Sequence, residues 1–243
     1  MITSNIVKTQ DGQSIAVNHH QNGHRKVIII AHGFFNSKDA ALLVELAEAL
    51  DDQYDIISMD FRGHGKSSGL FYWTSREYRD LEAVLHYAKQ SYDKAGVIGF
   101  SLGAATTLIA ASRSDLIDSV VAVSAPTEFW KIEYFLWELN IENDIIYNWF
   151  GRGKVGKKVF PGPFWQKKHK PIDLVENIKC PVMYIHGDTD WLIKHWHSEA
   201  LHQKTKAQKH LAIIKGGLHA EYLVRKNKAE FVGLIRTWFK ETL

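Results

Sequence analysis

The stretch VIGFSLGAA, residues 97–105, contains the pattern that decides the fold of this chain. An apolar run typical of a buried β-strand leads into Gly-x-Ser-x-Gly, and small residues typical of a helix follow. On such a strand-to-helix turn Ser101 would project its hydroxyl above the sheet. Gly99 and Gly103 fit this interpretation, because side chains there would collide with the neighbouring strand and helix. A glycine-rich turn with an incidental serine explains neither flanking element, so we predict that Ser101 is a nucleophile.

Short β-rich runs alternate with helical patterns on both sides of this stretch. Asp11-Gly12 lies between two such runs and predicts a β-hairpin. Strands that alternate with helices form βαβ units, so we predict an α/β fold with a mostly parallel central sheet flanked by helices. After the hairpin, the predicted strands cover residues 26–31, 54–59, 94–100, 119–124, 181–186 and 211–214, and the predicted helices cover residues 40–50, 76–90, 102–112, 196–206 and 221–240.

The regular alternation stops after the sixth predicted strand. Residues 126–173 are aromatic, basic and irregular, and the alternation of strands and helices resumes after them. We predict a single domain over residues 1–243, in which residues 126–173 are inserted as a small cap. Ligands in open α/β sheets bind at the edge where parallel strands end, and the insertion would lie over that edge.

Aromatic residues in the insertion are candidates for substrate binding. Trp130, Tyr134 and Trp137 follow the spacing that places side chains on one face of a helix. This face could line a pocket for an acyl or aromatic group, or it could seal the cap onto the sheet. Both interpretations stay open, since a small cap commonly does both.

The composition is that of an ordinary globular protein. Of the 243 residues 45% are hydrophobic and 23% are charged, which argues against disorder. The single cysteine, Cys180, excludes an internal disulfide and a multi-thiolate zinc site. The net charge of +3 is mild, and the basic segments 152–170 and 204–215 are interpreted as solvated faces. We therefore expect no nucleic-acid partner.

The sequence also predicts a location. Residues 1–17 lack a basic region followed by an apolar one, so no signal peptide is expected. The longest apolar runs, such as residues 27–31 and 104–111, are far shorter than the roughly 20 residues that span a bilayer. We expect a cytoplasmic protein with no membrane span.

The whole pattern resembles the α/β-hydrolase superfamily, and the resemblance covers nearly all of the chain. In that superfamily the serine is followed along the chain by an acid and then by a histidine. The motif IHGDTD, residues 185–190, resembles the acid loop, which makes Asp190 the orienting acid and leaves Asp188 to shape the turn. GGLH, residues 216–219, follows the last predicted strand and implies that His219 is the base. Glu128 is an alternative acid that the complete loop at Asp190 disfavours.

The resemblance also implies an oxyanion hole, which needs two preorganised donors. The backbone N–H of Leu102 follows the nucleophile, and the loop HGFF, residues 32–35, would supply the N–H of Phe34. Among the thirteen histidines, His32 is expected to brace this loop and His186 to pack or hydrogen-bond within the acid loop. DFRGHGKS, residues 60–67, resembles the Asp-x-Arg-Gly-x-Gly-x-Ser turn of the superfamily and supports the fold, and its His64 is expected to have no catalytic role.

The resemblance implies a serine hydrolase that cleaves carboxylic esters through an acyl-enzyme, similar to acylglycerol-lipase and feruloyl-esterase-like members with small caps. The expected substrate is a small ester with an apolar or aromatic acyl group, with no metal or organic cofactor. The same triad could serve a thioesterase, an amidase or peptidase, or a carbon–carbon bond hydrolase. A non-catalytic binding protein is less favoured, because all triad members are present. The sequence predicts no oligomeric state.

Overall fold

The central sheet is the framework of the molecule. A computed structural model describes residues 1–132, 159–163 and 165–243. Within these ranges the strands are β1 (Ile2–Lys8), β2 (Ser14–His20), β3 (Lys26–Ala31), β4 (Asp55–Met59), β5 (Lys94–Phe100), β6 (Ser119–Val123), β7 (Val182–Gly187) and β8 (Lys209–Ile214). They form one sheet of eight strands in the order β1-β2-β4-β3-β5-β6-β7-β8. β2 pairs antiparallel with β1 and β4, and the strands from β4 to β8 are parallel.

Helices cover both faces of the sheet. In the described part of the chain they are α1 (Ala41–Glu48), α2 (Tyr78–Lys89), α3 (Leu102–Ala111), α4 (Pro171–Leu174), α5 (Trp196–Lys204), α6 (Tyr222–Lys226) and α7 (Lys228–Thr242). Helices α2 and α3 pack into one apolar cluster, whereas α1, α6 and α7 pack into the other. None of the helices described is long and apolar enough to cross a membrane.

Strand β3 shows why the sequence predicted a doubly covered sheet. Ile29 packs into the cluster on the α2 and α3 face, whereas Ile28 and Ile30 pack into the opposite cluster. Every residue of the strand after Lys26 is buried. A strand covered on both faces needs apolar side chains at successive positions, which explains the unbroken run.

The C-terminal helix differs from its prediction. The pattern predicted one helix over residues 221–240, but the structure has α6 and α7, which meet at Asn227. Asn227 leaves helical geometry with φ −123° and ψ 30°. Asparagine competes for backbone hydrogen bonds and is a poor interior helix residue, so it ends one helix and precedes the next.

The chain between β6 and β7 is described only in part. It contains a 3₁₀ turn at Phe129–Lys131, the segment 159–163 and helix α4. Segment 159–163 lies along the loop after β4: Phe160 N–H donates to Gly63 O, and Phe71 N–H donates to Phe160 O, both at 2.8 Å. Tyr134 and Trp137 lie outside the described residues, as does most of the predicted cap. The single domain over residues 1–243 and the cap at 126–173 therefore stay predictions.

Candidate active site

Ser101 occupies the turn between β5 and α3. Its backbone adopts φ 53° and ψ −119°, and its N–H donates to Val123 O at 2.8 Å. A Cβ on Gly99 would lie 2.7 Å from Ala104 Cα, and a Cβ on Gly103 would collide with backbone oxygens at the end of β3. Only glycine at these two positions allows the helix to start so close to the sheet.

Asp190 and His219 lie in the loops that follow β7 and β8. His219 Nδ1 is 2.7 Å from Asp190 Oδ2. The two loops are joined by backbone contacts, including Thr189 N–H to Gly217 O at 3.1 Å and Thr189 Oγ1 to the same oxygen at 2.7 Å. Because β5, β7 and β8 run parallel, Ser101, Asp190 and His219 all follow strands at the carboxyl edge of the sheet.

The carboxylate of Asp190 is fully buried and well supplied with donors. Oδ1 accepts the backbone N–H groups of Leu192 and Ile193 at 3.0 and 2.9 Å. Oδ2 accepts from His219 Nδ1, and His186 Nε2 lies 3.2 Å from the same oxygen. Burial opposes ionisation, but the charge of His219 and the hydrogen bonds from both histidines outweigh it and hold the pKa of Asp190 well below its usual range. The carboxylate is therefore ionised, so His219 Nδ1 carries a proton and Nε2 is the nitrogen that can accept one.

Two other carboxylates have different partners. Asp188 Oδ1 accepts the backbone N–H of Gly216 at 2.6 Å, so it bridges the turns after β7 and β8. The alternative acid Glu128 pairs with Lys170 at 2.6 Å and Lys131 at 3.0 Å. Asp188 and Glu128 thus have other partners, whereas Asp190 contacts His219.

The loop after β3 lies against the serine turn. A Cβ added to Gly33 would be 3.2 Å from Ser101 Cβ, and Phe34 follows directly. Asn36 Nδ2 donates to the Glu221 carboxylate, two residues beyond His219, so this loop is tied to the histidine loop. Leu102 is the first residue of α3. The loop of Phe34 and the helix start at Leu102 thus adjoin Ser101 from two sides.

Two buried histidines near this loop have structural contacts. His32 Nε2 accepts the N–H of Phe61 at 3.1 Å and its Nδ1 donates to Gly33 O at 2.6 Å, so the ring braces the loop. His64 Nδ1 donates to Arg62 O at 3.2 Å. Burial lowers the pKa of His64 to about 3, so its imidazole is neutral at physiological pH.

An aromatic cluster extends from the loop after β3 toward the start of the predicted cap. The ring of Trp73 lies 4.9 Å from that of Phe34, 5.2 Å from that of Phe71 and 5.3 Å from that of Phe129. Trp130, a predicted substrate-binding residue, is 63% exposed, and its ring is 5.1 Å from that of Phe129. Phe71 and Trp73 were missed by the sequence reasoning, although three successive aromatic residues, FYW at 71–73, were a visible signal.

The described side chains do not form a candidate metal site. Within residues 1–132, 159–163 and 165–243, no group of three or more His, Cys, Asp or Glu side chains is placed to hold one.

Comparison with known proteins gives the class of the chain. A family profile described as alpha/beta hydrolase fold matches residues 26–138. The chain is 28% identical to YqkD, an uncharacterized protein of Bacillus subtilis, in an alignment that covers 84% of this chain and 70% of that protein. The esterase Pf2001 of Pyrococcus furiosus superposes with a TM-score of 0.80 at 22% identity, over 100% of this chain and 93% of that chain.

A second solved structure is similar over nearly the whole chain. Est1E from Butyrivibrio proteoclasticus, solved with ferulic acid bound, gives a TM-score of 0.74 at 21% identity, over 97% of this chain and 99% of that chain. The chain is therefore an α/β-hydrolase-fold protein, which confirms the predicted fold class and the resemblance stated from the sequence.

Proposed function

We propose that the protein is a serine hydrolase that cleaves carboxylic esters with the triad Ser101, His219 and Asp190. The observation that carries the proposal is the 2.7 Å hydrogen bond between His219 and a buried carboxylate at the sheet edge that also bears Ser101. An α/β-hydrolase fold and esterases among the solved structures of similar fold support the choice. The cytoplasmic location and the lack of a nucleic-acid partner stay predictions from the sequence.

The reaction would proceed through an acyl-enzyme. His219 Nε2 takes the proton of Ser101 Oγ, and the oxygen attacks the ester carbonyl. The N–H groups of Phe34 and Leu102 stabilise the oxyanion. Protonated His219, oriented by Asp190, then gives its proton to the leaving alcohol, and water repeats the cycle on the acyl-enzyme. No metal or organic cofactor takes part in these steps.

The aromatic cluster supports a substrate with an apolar or aromatic group. Phe34 is 40% exposed and belongs to the proposed oxyanion loop, so an ester bound at Ser101 would have its substituents near this ring. Trp73 and Phe129 extend the apolar surface away from the loop. A flat ring would gain from edge or offset contact with these side chains beyond the burial of its surface. A thioester, an amide or a carbon–carbon bond cleaved by the same triad is the alternative.

Hydrolysis of p-nitrophenyl esters, from acetate to long acyl chains, tests the proposal. We expect the wild type to turn over part of the series and Ser101→Ala to lose nearly all activity, because the nucleophilic oxygen is gone while the fold is kept. Circular dichroism and the melting temperature of the variant check the fold. Substantial turnover by folded Ser101→Ala would contradict the role of Ser101, and a folded wild type inactive on every ester would favour the alternative bonds.

A further inference from the structure

His186 is a buried histidine that the proposed reaction does not use. It lies near the end of β7, and its side chain has no exposure to solvent. Nε2 lies 2.6 Å from the Ile193 carbonyl oxygen and 3.2 Å from Asp190 Oδ2, and Nδ1 lies 2.7 Å from Ser198 Oγ. The His186 ring therefore contacts the Asp190 carboxylate, the carbonyl group of Ile193 in the loop after β7, and Ser198 on helix α5.

The hydrogen bonds define the proton positions on this ring. A carbonyl oxygen only accepts, so the contact with Ile193 requires a proton on His186 Nε2. Asp190 Oδ2 lies 3.2 Å from the same nitrogen, which places the carboxylate beside this N–H. Nδ1 of the neutral ring then accepts the Ser198 hydroxyl. Asp190 Oδ2 therefore lies within 3.2 Å of a nitrogen on each of two imidazoles, His186 and His219.

We propose that His186 is a positioning residue for Asp190. Its Nε2–H holds Oδ2 in line with His219 Nδ1 and withdraws part of the negative charge that His219 would otherwise experience. The inference rests on the proposed function, because it assigns a role to a residue that acts through the proposed triad. No contact between His186 and the substrate is needed.

The direction of the effect follows from the charges around the ring. Asp190 in the acid loop and His197 on α5 are ionisable groups close to His186. Burial lowers the pKa of His197 to about 4, so its imidazole is neutral. Without the His186 donor, Oδ2 presents more negative charge to His219 alone. Protonated His219 is then stabilised, and a higher pH is needed to obtain the neutral base.

The variants are His186→Leu, which removes both ring nitrogens, and His186→Gln, whose amide N–H groups can donate to Ile193 and Asp190. We expect His186→Leu to lower kcat about tenfold with little change in KM, by analogy with other partners that orient an imidazole–carboxylate pair. The acid limb of its kcat/KM profile should move to higher pH by about half a unit. His186→Gln should recover most of the wild-type kcat, and the acid limb of its pH profile should return to the wild-type position.

His19→Leu is the matched control. His19 is equally a buried histidine, hydrogen-bonded to Tyr87 at 3.0 Å and Tyr92 at 2.6 Å, outside the carboxyl edge of the sheet. The same substitution there should lower the melting temperature without moving the pH profile. An unchanged or lower acid limb in folded His186→Leu, or an equal shift in His19→Leu, would overturn the inference.

A readout without substrate separates this inference from the proposed function. The downfield proton of the His219 Nδ1–H to Asp190 hydrogen bond, followed by NMR in protein labelled at histidine, reports the titration of His219 directly. The titration should move to higher pH in His186→Leu and return in His186→Gln even if no ester is hydrolysed. If the resonance titrates identically in wild type and both variants, His186 has no positioning role. If His186→Leu fails to fold, Ser198→Ala is measured in the same way, and an unchanged titration and kcat there would count against the proposal.

Discussion

At the residue scale, backbone strain is concentrated around the candidate site. Phe35, Ser101, Ser124 and Ala220 have φ between 50° and 56°, and each lies in a loop at the carboxyl edge of the sheet. Holding a residue with a side chain at positive φ costs about 1–3 kcal/mol. The hydrogen bond from Ala220 N–H to Ser124 Oγ, at 3.0 Å, connects two of these positions. Strain of this kind persists where the surrounding structure holds it in place, which is typical of functional sites.

The two aspartates of the acid loop should differ sharply on substitution. Asp190→Asn keeps the shape of the side chain but removes the charge and can leave His219 in the wrong tautomer, so kcat should fall about 10³- to 10⁴-fold. Asp188→Asn retains an oxygen that can accept the N–H of Gly216, so its loss should stay below about tenfold. Steady-state kinetics on the best p-nitrophenyl ester give both numbers. The reverse ranking in folded variants would exchange the two roles.

At the element scale, the loop after β4 brings its aromatic residues to the site. Glu77 is fully buried and its carboxylate accepts the N–H groups of Tyr72 and Arg76. Trp73 and Thr74 both have positive φ, 56° and 76°, so this segment adopts a bent path. Trp73 Nε1 contacts Gly162 O at 3.4 Å, which ties the loop to segment 159–163. The loop thereby holds the indole against Phe34.

Trp73→Leu should reduce discrimination between flat and saturated rings. Wild-type kcat/KM should favour methyl 3-phenylpropanoate over methyl 3-cyclohexylpropanoate, or benzyl acetate over cyclohexylmethyl acetate, by about 2- to 10-fold, since aromatic pairs add about 0.5–1.5 kcal/mol to burial. Trp73→Leu should bring that ratio close to one, and Trp73→Phe should retain part of it. Trp196→Leu, whose indole stacks on His197 instead, should keep the wild-type ratio. If Trp73→Leu lowered kcat/KM equally for the aromatic and the saturated ester of a pair, Trp73 would have only a structural role.

At the scale of the whole molecule, the parallel sheet unites residues from distant parts of the chain. Asp190 and His219 are 29 residues apart, and Asn36 and Glu221 are 185 apart, yet each pair is hydrogen-bonded. Both faces of the sheet are covered, so polar groups taken into the interior need internal partners or must stay neutral. Several histidines are in this position, and their ionisation is coupled to folding.

Stability should therefore fall on mild acidification. Burial lowers the pKa of His64 to about 3 and that of His197 to about 4, below the 6.5 of an unperturbed histidine. Between about pH 6.5 and 4 the unfolded chain binds protons that the folded chain does not, so the free energy of unfolding decreases as pH falls. Urea unfolding at pH 7 and at about pH 5 measures the loss. The free energy of unfolding should decrease less in His64→Phe than in the wild type. His210→Phe, at an exposed position, should show the same decrease as the wild type. An equal loss in His64→Phe would contradict the assignment.

Most elements of the fold could be predicted because their patterns are local. The predictions over residues 26–31 and 94–100 coincide with β3 and β5, since buried strands need continuous apolar runs. The predicted helix over residues 221–240 was wrong at Asn227, where one residue that competes for backbone hydrogen bonds divides a helical pattern. The candidate site could be predicted to the extent that Ser101, Asp190 and His219 lie in recognisable motifs. The aromatic run at 71–73 was visible in the sequence, but the contacts of Trp73 with Phe34 and Phe129 were not, because these residues come from other loops.

The sequence by itself determined the alternation of strands and helices and the glycine-flanked serine turn, because each depends on residues close together in the chain. The three motifs of the candidate triad are also local, and their order along the chain is the one that the resemblance implies. Only the tertiary structure decided which strands are neighbours, that one oxygen of Asp190 faces both His186 and His219, and that Trp73 packs on Phe34. Hydrogen-bond partners and ring contacts between distant segments exist only after the sheet has formed. They depend on small differences in interatomic distance, which no local pattern encodes.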